Sequence, residues 1–201
     1  MNRKALISWS IEFGPIAFFF LAFEKFGFMP ATKLFVALTA LALIIAFFKE
    51  RRVAYFPLVA GVSVLIFGVL TIFQNDPFYL IIKDTFYNGI FGIVLSLGLA
   101  FGKPLLKTLF GELFAMSDRG WQILTLRWAI LFILLTIGNE IVRIFYSTEV
   151  WVHYKAIATL VTLVFGLYQF RLSAKERLPN LSNKWGMRLV DVRAEKERLK
   201  I

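Results

Sequence analysis

The chain has 201 residues, of which 59% are hydrophobic, and it carries a net charge of +10. A soluble domain of this length cannot bury so much apolar surface, so the composition predicts a membrane protein. Because the chain lacks cysteine and has a single histidine, His153, disulfides, cysteine nucleophiles and metal sites built from several histidines of one chain are excluded. In a membrane protein the positive charge indicates contact with anionic lipid headgroups, and nucleic acid is not expected as a partner.

Six apolar stretches, each close to the length of about 20 residues that a membrane-spanning helix needs, follow one another along the chain. Their predicted bounds are 5–23, 31–48, 53–73, 86–101, 126–145 and 151–170. The first is the weakest span because Glu12 and Pro15 interrupt it. The fourth is short, and residues 78–82 either extend it across an adjacent lysine and aspartate or lie in the interface as a separate piece. The predicted fold is therefore all-α, a polytopic transmembrane helix bundle of about six spans.

The distribution of lysine and arginine predicts the orientation. With the N-terminus in the cytoplasm, the cytoplasmic segments hold 18 of these residues and the outer segments hold 5, which predicts cytoplasmic N- and C-termini. The transmembrane domain is expected over 1–172, with an amphipathic helix near 103–116 that lies on the membrane or is an ordinary linker helix. Residues 173–201 form a basic cytoplasmic tail, either solvated and partly disordered or in contact with anionic lipid or a partner.

One candidate site consists of polar residues inside the predicted spans. Glu140 has Asn139 beside it and Arg143 three residues later, close enough on a helix to pair. Because ionisable residues within spans are costly and commonly functional, these three residues and Glu12 form a candidate intramembrane polar site. For Glu140 there are three alternatives: an ion pair with Arg143 near the headgroups that needs no further partner, a polar contact to another helix, and a proton or substrate site. Glu12 is either interfacial or part of a broken helix that lines a cavity.

A stripe of small and polar residues forms a second candidate feature. Asn88, Gly92 and Ser96 follow at four-residue spacing along the fourth span. Small residues let helices approach closely, and asparagine can form a hydrogen bond to a neighbouring helix. The stripe is therefore interpreted as a helix-packing surface, with a pore wall as the alternative. Gly61 and Gly68 of the third span are interpreted in the same way.

Further polar residues stand near the outer ends of the predicted spans. Asp76, Lys83 and Asp84 lie near one outer loop, where carboxylates are usually solvated; a metal or substrate site is the alternative. His153 stands near Trp151 at a predicted membrane edge and is interpreted as an interfacial residue.

Several short motifs stand in a characteristic order along the chain. They are Gly14-Pro15 with Phe18-Phe19-Phe20, Phe67 to Asp76, Gly102 to Leu106 with Gly111, Trp121 to Ala129, Asn139-Glu140, and Trp151-Val152 with Lys155. In this order and spacing they resemble the inner membrane-spanning septation protein A family of bacteria, also called YciB, and the resemblance extends to about Leu172. The chain departs from the family at Asp84, which replaces the residue usually found between Lys83 and Thr85.

The resemblance implies a bacterial inner-membrane protein that acts in envelope biogenesis, membrane homeostasis and septation. It supplies no catalytic residues and no cofactor. The chain is therefore predicted to be non-enzymatic and to act through contacts with membrane lipids and with envelope-synthesis or division membrane proteins. The alternative is a small-solute or lipid transporter that uses Glu140 and Glu12. An enzyme is least expected, because the acids are scattered and His153 lies at an edge.

Overall fold

The computed structural model of the protein describes residues 3–50 and 55–189, with side chains described over 14–48 and 58–189. All regular secondary structure in this part of the chain is helical, and the connections between helices contain turns and isolated β-bridges. In chain order its seven helices are α1 (Arg3–Phe26), α2 (Phe28–Glu50), α3 (Tyr55–Gln74), α4 (Phe78–Ala100), α5 (Leu105–Phe110), α6 (Asp118–Phe145) and α7 (Thr148–Lys175).

Four of these helices, α2, α4, α6 and α7, are long and apolar enough to cross a membrane. In α3 the described apolar stretch is shorter, Leu58–Gln74. Long apolar runs become helices because a lipid environment offers no water to the backbone, so each N–H and C=O group must be satisfied within the segment. The predicted all-α membrane architecture is confirmed at this level.

Helix α4 begins eight residues before the predicted fourth span. Asn75 has a left-handed backbone (φ 54°) that ends α3, and the Asp76 carboxylate accepts a hydrogen bond of 2.8 Å from the backbone N–H of Phe78. This cap starts α4 at Phe78, and the helix then continues through Lys83 and Asp84 without a break. Of the two alternatives for residues 78–82, extension of the span is therefore correct.

The chain divides into two compact units, the first of which contains the residues up to Tyr87 together with Thr136–Ala156. Here α1 packs against α2, and α2 packs against α3. Gly27 (φ 78°) makes the tight turn between α1 and α2, because glycine adopts a left-handed backbone without steric cost. The buried core of this unit joins four helices through Phe19, Ala22, Ala31, Leu80, Ile81, Trp151 and Val152.

The second unit contains residues 88–135 and, in the described part, 157–189. Aromatic rings fill its interior: Trp128 lies 5.6 Å from Phe132 and 5.2 Å from Phe165 between ring centroids. The helix predicted near 103–116 is confined to the six residues of α5. It stops there because the backbone of residues 113–117 pairs with residues 176–188, which fold back after α7.

Candidate functional site

A bidentate ion pair stands near the C-terminal end of α6. The Arg143 Nε atom lies 3.1 and 3.0 Å from the two carboxylate oxygens of Glu140, and its Nη2 atom lies 2.6 Å from Oε2. The guanidinium also lies 5.6 Å from the ring centroid of Phe78 in α4. About a quarter of each charged side chain is exposed. The pair is thus held in a fixed geometry, since bidentate arginine–carboxylate contacts constrain both orientation and distance.

Asn139 is the buried centre of the hydrogen bonds around this pair, with a relative exposure of 1%. Its amide nitrogen donates to the backbone carbonyl of Ile81 at 3.0 Å and to Thr85 Oγ1 at 2.9 Å, both in α4. Its amide oxygen accepts a hydrogen bond of 2.8 Å from the Trp151 indole in α7. Only this orientation of the amide satisfies both the carbonyl and the indole, so Asn139 ties α6 to α4 and α7.

Thr85 connects Asn139 to the ion pair. Its hydroxyl accepts from Asn139 and donates to Glu140 Oε1, so hydrogen bonds run without a gap from Trp151 through Asn139 and Thr85 to Glu140. Such a chain is polarised along its length and fixes its members cooperatively. The Glu140 carboxylate therefore receives donors from two helices.

A second charged group lies next to Thr85 in sequence. The Asp84 carboxylate is 4% exposed and pairs with the ammonium groups of Lys83 and Lys155, the latter in α7. The prediction of a solvated outer-loop cluster is therefore wrong for Lys83 and Asp84, because α4 starts at Phe78 and carries both residues inward. Asp76 does remain exposed and caps α4.

Three of the five charged side chains lie at similar distances from helix ends. Asp84 follows the start of α4 by six residues, Lys155 follows the start of α7 by seven, and Glu140 precedes the end of α6 by five. At 1.5 Å per residue these distances are about 8–10 Å. The three cations and two carboxylates, together with Asn139, Thr85 and Trp151, are hereafter called the polar network, and its net charge is +1. Both carboxylates of the polar network are paired with cations of the protein itself. The direct physical effect of the network is therefore to join α4, α6 and α7.

Three members of the polar network, Thr85, Trp151 and Lys155, are absent from the residues predicted for the site. Thr85 and Trp151 give no usable signal, since both residue types occur in many spans. Lys155 does give one: it lies inside the apolar stretch 151–170, and a lysine within a span requires a counter-charge. Of the predicted site residues, Glu140, Arg143 and Asn139 come together, whereas the side chain of Glu12 lies outside the described residues.

His153 stands at the surface of the first unit, with 67% of its side chain exposed. Its Nδ1 atom lies 2.8 Å from the Glu149 carbonyl, and its Nε2 atom lies 3.8 Å from the exposed carboxylate of Glu24. Within the described residues, no group of three or more His, Cys, Asp and Glu side chains is placed to hold a metal ion.

The predicted stripe lies in the second unit. Gly92 is buried, and a Cβ atom added to it would lie 2.9 Å from Ile133 Cγ1 and 3.3 Å from the Ile133 backbone nitrogen in α6. Ser96 donates to the Gly92 carbonyl of its own helix at 2.7 Å, and Asn88 is half-buried. This close approach of α4 to α6 supports packing as the role of the stripe.

Replacing Gly92 with alanine should destabilise the protein by about 1–3 kcal/mol, because the added methyl group overpacks the contact with Ile133. Gly166→Ala is the matched control: it adds the same methyl group to a helix of the same unit, where the nearest atoms of Trp128 lie at an ordinary 3.8 Å. Thermal unfolding of both variants in detergent measures the difference. Equal melting temperatures would show that the α4–α6 approach is not tight at Gly92.

Comparison with known proteins places the chain in a family. A protein-family model described as intracellular septation protein A (IspA) matches residues 7–178. The inner membrane-spanning protein YciB of Brucella melitensis biotype 1 is 38% identical over 194 residues, covering 89% of this chain and 97% of the relative. Proteins of the same name from Brucella suis biovar 1 and Brucella ovis are also 38% identical over 89% of this chain, and 97% and 88% of those relatives are covered. No solved structure matches the chain significantly.

Proposed function

Because the chain belongs to the intracellular septation protein A family, we propose that it supports envelope synthesis and septation as a non-enzymatic protein that contacts other membrane proteins. The family membership confirms the resemblance found in the sequence. The relatives are named inner membrane-spanning proteins, and four helices of this chain are apolar and of membrane length, so it is a multi-pass protein of the inner membrane.

The proposal rests on the pairing of the two carboxylates that lie deepest in the described part of the candidate spans. Asp84 is held by two lysines, and Glu140 is held by Arg143 and Thr85. A transporter that uses a carboxylate must free it for a proton, ion or solute during each cycle, and these contacts would have to break. A fixed network instead supports a rigid helix assembly that presents constant outer faces to neighbours in the membrane.

The proposed topology has six spans, formed by α1, α2, α3, α4, α6 and α7, with both termini in the cytoplasm. Its support is the excess of 18 over 5 Lys and Arg on the inner side. Because the chain contains no cysteine, single cysteines give unique labels. We expect a cysteine at Asn75 to react with a membrane-impermeant maleimide in intact spheroplasts, and one at Lys103 to react only after lysis. The reverse pattern would contradict the orientation.

In-cell photo-cross-linking tests the proposed contacts. A photoreactive residue is placed in turn at exposed positions on five helices: Leu41, Ile66, Ile90, Ile137 and Leu160. Leu95, which is 3% exposed, is the control that should yield only crosslinks within the chain. A protein partner covers one face, so we expect adducts to the same cell-wall or division protein from one or two helices only. Capture of lipid alone from all five positions would overturn the proposal.

The alternative function, transport of a small solute or lipid, is favoured by one observation: more than a quarter of the Glu140 side chain is exposed. Glu140→Gln separates the two functions because it keeps the shape and the hydrogen bond from Thr85 but removes the charge. Under our proposal the variant protein, if stably inserted, restores normal cell length to cells that lack the chain. Loss of function with normal abundance and an unchanged melting temperature would favour transport.

A further inference from the structure

The residues after α7 form a folded segment, defined as residues 176–189 and called the strap. Its backbone pairs with the connection between α5 and α6: Leu178 donates to the Ala115 carbonyl, and Arg188 donates to the Leu113 carbonyl, each at 2.9 Å. The Arg188 side chain donates to the Gly111 carbonyl at 2.7 Å. Of the two alternatives given for the tail, a solvated and partly disordered segment does not describe residues 176–189; residues 190–201 lie outside the described chain.

Gly186 shows how closely the strap is held. It has a φ of 80°, and a Cβ atom at this position would lie 2.5 Å from the carbonyl oxygen of Ser173 in α7. The Ser173 hydroxyl donates to the Trp185 carbonyl at 2.7 Å. Asn183 accepts from the backbone N–H of Trp185 at 2.8 Å and so fixes the turn. The strap is thus anchored to the end of a candidate span.

Three candidate spans begin or end at the strap and its partner segment. Helix α4 ends at Ala100, α6 begins at Asp118, and α7 ends at Lys175. The connection 101–117 and the strap 176–189 are joined by hydrogen bonds within the second unit. Both segments must therefore lie at one face of the bilayer, at the level where the spans leave the hydrocarbon.

The charges at this face are strongly unbalanced. Residues 102–120 and 171–189 contain eight Lys or Arg residues and three acids. Among the acids, Asp118 pairs with Lys107, and Glu176 accepts a hydrogen bond from Ser117. The cations other than Arg188 are exposed. This excess creates a positive surface beside the membrane.

Exposed apolar residues accompany these cations. Trp185 is 47% exposed, Leu181 47% and Leu189 64%. The Lys184 ammonium lies 5.5 Å from the centre of the Trp185 ring. A tryptophan with apolar neighbours and a basic residue beside it matches the chemistry of the interface, where the ring enters the headgroup layer and the cation meets phosphate.

We propose that the strap binds the anionic phospholipid headgroups of the leaflet it faces, with Lys184 and Arg177 contacting phosphate and with Leu181 and Trp185 inserting among the headgroups. The folded backbone holds these side chains at the bilayer surface in advance, so binding does not require an extended tail to become ordered. Charge complementarity selects this occupant, because a basic surface fixed beside a bilayer meets anionic lipid at high local concentration. The proposal does not depend on the protein contacts proposed above.

Lipid composition provides the test, with the full chain in nanodiscs of phosphatidylcholine alone or with phosphatidylglycerol added. A nitroxide on a single cysteine at Leu181 reports insertion through its accessibility to a water-soluble paramagnetic reagent. We expect this accessibility to fall when phosphatidylglycerol is present and to recover in high salt, because screening weakens surface attraction. A label at Asn75, an exposed loop residue of the first unit, should show no such change.

Matched charge variants complete the test. The double variant Lys184→Gln, Arg177→Gln should lower the preference for retained phosphatidylglycerol over phosphatidylcholine, measured by native mass spectrometry, by about ten- to thirty-fold. Lys25→Gln with Lys33→Gln removes two exposed cations from the first unit and should leave the preference unchanged. Equal label accessibility in both lipid compositions, or an equal loss in the two double variants, would overturn the proposal.

Discussion

Replacing Asp84 with asparagine is expected to destabilise the protein by about 3–5 kcal/mol. The carboxylate is 4% exposed and lies between the ammonium groups of Lys83 and Lys155. Its removal leaves two like charges close together in a mostly buried site, and breaking a buried ion pair from one side costs this much. The steric change is small, so the loss reports charge and not packing.

Thermal unfolding in detergent measures this effect, and Glu24→Gln is its control. Glu24 belongs to the same unit, and its removal makes the same change in net charge, but its side chain is 70% exposed. We expect little change in that variant, since exposed ion pairs contribute at most about 1 kcal/mol. Adding Lys155→Met to Asp84→Asn should restore part of the stability by removing one of the two like charges. If Asp84→Asn and Glu24→Gln unfold at the same temperature, the buried triad is not an ion-pair structure.

The helices were predicted well from sequence where the length of an apolar stretch alone determines them. The predicted spans 31–48, 126–145 and 151–170 all lie inside α2, α6 and α7. The start of the fourth span stayed open between two alternatives because hydropathy counts Lys83 and Asp84 as polar interruptions. The structure explains the difference, since the two charges pair with one another and with Lys155. A one-dimensional pattern cannot show that a partner on another helix offsets the cost of burial.

The candidate site was only partly predictable, because some of its contacts lie within one helix and others join different helices. Glu140 and Arg143 lie three residues apart on one helix, so helical geometry predicts their pairing. The bonds of Asn139 to Ile81 and to Trp151 depend on which faces of α4, α6 and α7 meet, and spacing within one span does not contain that information. The pairing of the strap with residues 113–117 was not predicted, because nothing in its polar sequence shows which segment it meets.

Replacing Asn139 with leucine is expected to destabilise the protein by about 2–3 kcal/mol. Leucine is similar in size but removes three interhelical hydrogen bonds, those to Ile81, Thr85 and Trp151. Such bonds contribute about 0.6 kcal/mol on average and up to about 1.7 kcal/mol in membrane proteins. The loss also leaves the buried indole N–H without its acceptor, which adds a desolvation cost.

A double-mutant cycle with Trp151→Phe isolates one of these bonds. If Asn139 and Trp151 stabilise the protein through their shared hydrogen bond, the two losses overlap, and the coupling energy should lie near 0.6–1.7 kcal/mol. Thr162→Val is the control, because its hydroxyl bonds only to Ala158 of the same helix at 2.8 Å. Strictly additive losses for Asn139 and Trp151 would show that the buried asparagine does not join α6 to α7. The polar network would then lack the hydrogen bond that links Glu140, Thr85 and Asn139 to α7, and the Asp84 triad would be its only connection to that helix.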